Sequence, residues 1–149
     1  MWGDYMNWKS EATRDLKTYP QRKESVENIK EKIRILDEQF KSLRGISAGE
    51  PVMGGASKQE DKWLDNISER ERLSFSLKIA EALVELTEKG LDVLDDRERQ
   101  ILEDFYMKRV ENHVEKLCER FHLEKTRLYE LKDCALKKFT IAMYGTVEI

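Results

Sequence analysis

Proline and cysteine are scarce in this chain, each occurring twice in 149 residues, and glycine occurs seven times. Four of the glycines, Gly45, Gly49, Gly54 and Gly55, fall in one short stretch. Sheets need frequent turns, so this scarcity points to a few long elements and an all-α fold. Two cysteines, both in predicted helices, exclude a disulfide framework. No apolar run reaches the ~20 residues that a bilayer span needs, and no secretion signal is read, so the cytosol is the expected compartment and no membrane is expected as a partner. Positive charge is also short: the formal net charge is −3, which excludes a protein that coats polyanions by composition alone.

What the chain does have is charge of both signs. Charged residues make up 38% and hydrophobic ones 40%, so much of the surface must be solvated helix. Asn7 caps a short predicted helix to Thr18 with Trp8, Ala12 and Leu16 on one stripe, and Pro20 should end it and open the next. From Gln21 to Arg44, the residues Val26, Ile29, Ile33, Leu36, Phe40 and Leu43 alternate steps of three and four. That is a heptad seam, and too short to stand alone. It must pack within a helical hairpin or form an oligomer interface. The glycine stretch, roughly residues 45–57, reads as a flexible linker. Gly54 to Lys58 lacks the full spacing of a phosphate loop and follows no strand.

A long helix is predicted from Ser57, where Ser57 and Glu60 form a capping box, to Lys89, with Gly90 as its C-terminal stop. It has two apolar faces, one with Trp63, Ile67, Leu77, Ala80 and Val84, the other with Phe75, Ile79, Leu83 and Leu86. The remaining segment, from Leu94, reads as three short helices. Asp95 and Glu98 cap the first, which buries Ile101, Leu102 and Phe105. The second opens near Asn112 and contributes Val114, Leu117, Cys118 and Phe121. After the tight connection His122-Leu123-Glu124, the third turns Leu128, Leu131, Ala135, Leu136 and Phe139 inward. Two short helices joined in this way, the second with a polar outer face, form a helix-turn-helix.

These residues carry a resemblance. Arg97-Glu98-Arg99-x-Ile101-Leu102, followed by Lys125-x-x-Leu128-Tyr129-x-x-Lys132-x-x-Ala135-Leu136-x-x-Phe139, resembles region 4 of bacterial sigma-70-type factors. With Met6-Asn7-Trp8-Lys9 near one end and Tyr144-Gly145 near the other, the whole chain resembles the ArpU-like family of phage and prophage transcriptional regulators. The resemblance implies a helical arm over 1–93 and a DNA-binding helix-turn-helix domain over 94–149. It also implies a sequence-specific regulator of late genes, with double-stranded DNA and host RNA polymerase as partners, in the cytoplasm of a bacterial host.

On a recognition helix the early outward positions reach base edges. Here these are Lys125, Thr126, Tyr129 and Glu130, flanked by Arg127 and Lys132, with Lys137 and Lys138 farther along and better placed for phosphates. Glu124 departs from the Ser or Thr that sigma-type sequences place as cap, and it would repel a nearby phosphate. The helix is locally basic, but the domain around it is close to neutral. A single copy should therefore bind DNA weakly, and a homo-oligomer, a dimer before other forms, or help from RNA polymerase is expected.

Other chemistry finds little footing. His113, Cys118, His122 and Cys134 match no zinc spacing, and both cysteines are expected to face the core, so neither metal nor cofactor is expected. Asp92, Asp95, Asp96 and Glu98 cluster at a helix start, where carboxylates suit the dipole. No nucleophile–base grouping suggests an enzyme. Two rival readings remain: a module that docks on RNA polymerase or a phage protein without reading DNA, and a packaging factor similar to small terminase subunits.

Overall fold

The computed structural model describes residues 7–47, 56–108 and 110–147, and the side chains of all of these except 44–47, 56 and 57. Among the described residues five α-helices run in order: α1 (Trp8–Ser47), α2 (Ala56–Asp92), α3 (Asp96–Leu102), α4 (His113–Phe121) and α5 (Lys125–Tyr144), with a π-helical turn at Glu103–Met107. No strand occurs among the described residues, and the fold is all-α. None of the helices is long and apolar enough to cross a membrane.

The chain divides into two compact units, and not at residue 93. One takes in the described residues of Met1–Arg22 and Leu83–Ile149, the other Lys23–Ala82. The physical reason lies in the first unit's core: Ala12 and Leu16 of α1 are buried in one cluster with Leu91, Leu94, Leu102, Ala135, Leu136 and Phe139. The start of α1 thus belongs with α5. Trp8 packs its ring on Tyr144 at 4.9 Å, and the Tyr144 hydroxyl donates to Asp15. Tyr19 donates from its hydroxyl to Glu88 Oε1 at 2.7 Å.

That packing also corrects the expected break at Pro20, because α1 runs straight through it. Proline withholds one rung of the helix ladder, but Leu16 and Tyr19 just before it are buried and hold the helix in place. Gly90 is corrected as well. It lies inside α2 rather than ending it, and a Cβ there would meet Phe139 Cε2 at 2.8 Å and Met143 Sδ at 2.9 Å. Glycine is required here by the close approach of α5, not by a helix stop. Gly45 and Ser47 are still helical, so α1 extends past the expected linker start, and the remainder of that linker call, 48–55, lies outside the described residues.

In the second unit, α1 and α2 form an antiparallel hairpin. Phe40 packs on Trp63 at 6.1 Å, Asn66 Nδ2 donates to the Leu36 carbonyl at 2.9 Å, and Arg70 pairs with Asp37 at 3.2 Å. The Arg70 guanidinium also lies 4.6 Å from the Phe40 ring centre. The predicted seam faces this partner: Val26 is buried, and Ile29, Ile33, Leu36, Phe40 and Leu43 are half-buried.

Candidate nucleic-acid interface

The arrangement of α3, α4 and α5 is built from local signals. Asp95 caps α3: its carboxylate accepts from the Glu98 backbone N–H at 2.7 Å, and Glu98 Oε1 accepts from the Asp95 N–H at 3.2 Å. The Glu98 N–H holds the Asp95 carboxyl below the usual carboxylate range. After Leu102 the ladder slips by one residue into the π-turn, where the Lys108 N–H donates to the Glu103 carbonyl at 2.8 Å. The slip turns Phe105 toward the α4 side and Tyr106 and Met107 toward the α1 side. A π-turn of this kind re-aims side chains that a plain helix would set on one stripe.

Helix α4 opens at Asn112, which takes a left-handed conformation with φ 55° and makes no side-chain cap. It closes at His122, also left-handed with φ 54°, while the Leu123 N–H donates to the Cys118 carbonyl at 2.9 Å. That reversal makes the tight connection into α5. Leu117 of α4 and Leu128 and Leu131 of α5 are buried with Ile101 of α3. Val114, Cys118, Phe121 and Leu123 close the edge of this cluster. Glu124 stands at the N-cap of α5 in extended backbone and makes no side-chain cap, as its length leads one to expect. At the other end Gly145 adopts φ +79°, and its N–H donates to the Ile141 carbonyl at 2.7 Å, a C-cap that an L-residue would strain.

With Leu128 and Leu131 facing inward, the opposite side of the α5 start is exposed: Lys125, Thr126, Arg127, Tyr129 and Glu130. The structure brings these five into one surface, but their charges are not equally available. Arg127 pairs with Glu130 at 3.1 Å. Lys132 is largely covered, pairs with Asp133 at 3.1 Å, and lies 5.6 Å from the Phe105 ring centre and 5.4 Å from that of Tyr129. Burial alone would push the Lys132 ammonium down, but Asp133 and the phenols of Tyr106 and Tyr129 outweigh it and raise its pKa. Lys125 and Lys137 are exposed, and neither has an ion-pair partner among the described residues.

Lys138 departs most from its expected role. Its Nζ lies 2.8 Å from Glu98 Oε2, and the Glu98 side chain is only 7% exposed. The Glu98 carboxylate raises the Lys138 ammonium's pKa. This lysine therefore anchors α5 to the capping box of α3 instead of reaching outward. Cys134 also departs: it is exposed, because Ala135 and Leu136 take the inward positions next to it, whereas Cys118 is half-buried.

Sequence reasoning missed the aromatic shelf beneath the surface. Phe105 meets His113 edge-on at 4.5 Å and Tyr129 edge-on at 5.7 Å. Tyr129 is thereby held by its ring and stays exposed. The Tyr129–Lys132 spacing along one helix face was the visible signal, but the π-turn that delivers Phe105 leaves no mark in the residue pattern. Among the described residues, no group of three or more His, Cys, Asp or Glu side chains could hold a metal ion. Comparison with family models, curated proteins and solved structures finds no match for this chain.

Proposed function

We propose that this protein is a sequence-specific DNA-binding transcriptional regulator of a phage or prophage, acting as a late-gene activator. The observation that carries this reading is the seating of α5. Leu128 and Leu131 hold it by one side, and the first two turns of the other side expose Lys125, Thr126, Arg127, Tyr129 and Glu130 as one surface. In such a placement Lys125 donates to guanine acceptors, Thr126 meets a thymine methyl, and Glu130 accepts from cytosine once Arg127 turns to a phosphate. Tyr129, fixed on Phe105, presents its hydroxyl to a base edge or phosphate. The resemblance to sigma region 4 and to the ArpU-like regulators supplies the phage context.

One observation favours a second reading. Arg127, Lys132 and Lys138 all pair with carboxylates of the same chain, which leaves little charge for phosphates. A surface so self-neutralised also suits docking on host RNA polymerase without DNA reading.

Two lysines separate structure from reading. Lys125→Ala should leave the melting temperature unchanged and weaken binding to a preferred duplex by roughly tenfold or more, the usual worth of a base contact. Lys138→Ala should instead lower the melting temperature, because it removes the cation that pairs with the buried Glu98 carboxylate. Circular dichroism and fluorescence anisotropy read the two effects. Unchanged DNA binding in Lys125→Ala, with the protein folded, would move the reading to docking.

A further inference from the structure

Helix α2 carries an apolar stripe that the described residues leave open. Phe75 is 66% exposed, Ile79 46%, Leu83 37% and Leu86 52%, and Ala82 among them is exposed too. From Phe75 through Ile79 and Ala82 to Leu86 the steps are four, three and four, a heptad seam on one continuous helix. Leu73, Ala80 and Thr87, which are buried, lie on other faces of the helix. The seam predicted over Val26–Leu43 is already used within the hairpin, so it does not cover this one.

The flanking charges indicate what does. Lys78 precedes Ile79 and Glu85 precedes Leu86, so the two share one edge of the stripe, a heptad apart. Both are exposed; Glu85 holds Lys89 at 3.2 Å, and Lys78 has no ion-pair partner among the described residues. We propose that the chain forms a homodimer in which the α2 stripes of two copies pack antiparallel. Phe75 then lies opposite Leu86 of the other copy, Ile79 opposite Ala82, and Lys78 opposite Glu85, with each pairing repeated by the two-fold axis. A parallel pairing would set Lys78 against Leu83 and bring the two Lys89 side chains together, so the charge pattern selects the antiparallel form. Arg72 and Lys89 oppose each other at the ends of the stripe and confine the contact to about three helical turns. The dimer is therefore short and reversible. This inference stands without the DNA reading, although it supplies the second copy that a weakly charged reader needs.

Sedimentation velocity on the full chain, without DNA, tests it. The wild type should pass from monomer to dimer within roughly 1–100 μM, the range of a small interface. Ile79→Glu should remain monomeric. Lys78→Glu and Glu85→Lys should each weaken association by about tenfold, since both symmetric pairs change from attraction to repulsion. Mixing those two variants should restore association, because each then meets its opposite charge, and helicity by circular dichroism should stay at the wild-type level throughout. A monomer at every concentration, a dimer indifferent to the charge reversals, or a mixture that fails to re-associate would overturn the proposal.

Discussion

Individual side chains in this protein do double duty as caps, anchors and charges, and burial decides which role each takes. Glu98 completes the capping box with Asp95, yet it also holds Lys138 from the far side of α5. Once a carboxylate is that covered, leaving it unpaired costs more than any gain from sending the lysine to solvent. Tyr19 shows the same logic with a phenol. Burial, and then its hydrogen bond to the Glu88 carboxylate, push its pKa from 10.0 up to about 12. A group whose folded pKa is raised contributes its full stability below its unfolded value and loses it as pH rises to the folded one. The melting temperature should therefore fall between pH 10 and pH 12, the window set by those two values. In Tyr19→Phe the fall should be shallower, with a remainder from Tyr144, whose pKa burial and Asp15 also raise. Calorimetry on both proteins across that window checks this; equal slopes would contradict it.

At the scale of elements, α5 is the organising piece, since it supplies side chains to both clusters of the first unit. Its closeness to α2 at Gly90 is a sharp constraint. Gly90→Ala gains helix propensity of up to ~1 kcal/mol, but the added methyl must displace the fully buried Phe139 ring and the Met143 thioether. The clash should win, at a net cost of about 1–3 kcal/mol and a loss of several degrees in melting temperature. A stabilised Gly90→Ala variant would show that α5 has room to shift. These helices were largely legible in the residues. The stripe Leu128, Leu131, Ala135, Leu136, Phe139 and the Asp95–Glu98 box are local, periodic signals, and each appears where its spacing places it. What was not legible depends on partners distant in sequence. Nothing near Pro20 announces that Leu16 and Tyr19 are held firmly enough to carry a helix through it, and nothing near Gly90 announces Phe139. The same holds for the surface: Lys125 could be read from its position, whereas the capture of Lys138 by Glu98 required the fold.

For the molecule as a whole, the expected split into an arm and a binding domain gives way to a chain whose first turns close on its last helix. The unit bearing the exposed α5 face thus draws on residues up to Arg22 as well as those from Leu83 onward. The chain carries no net positive charge, and binding by phosphate contacts alone should be weak and easily screened. On the proposed reading, discrimination between sequences would rest on the few side chains exposed at the start of α5. The most direct test is selection from a random duplex library, followed by anisotropy on the enriched and scrambled duplexes across a salt series. The account predicts one enriched motif, bound at least ~10³-fold more tightly than its scrambled control, with that preference reduced in Lys125→Ala. No enrichment, with equally weak and salt-sensitive binding to every duplex, would contradict DNA reading by this helix.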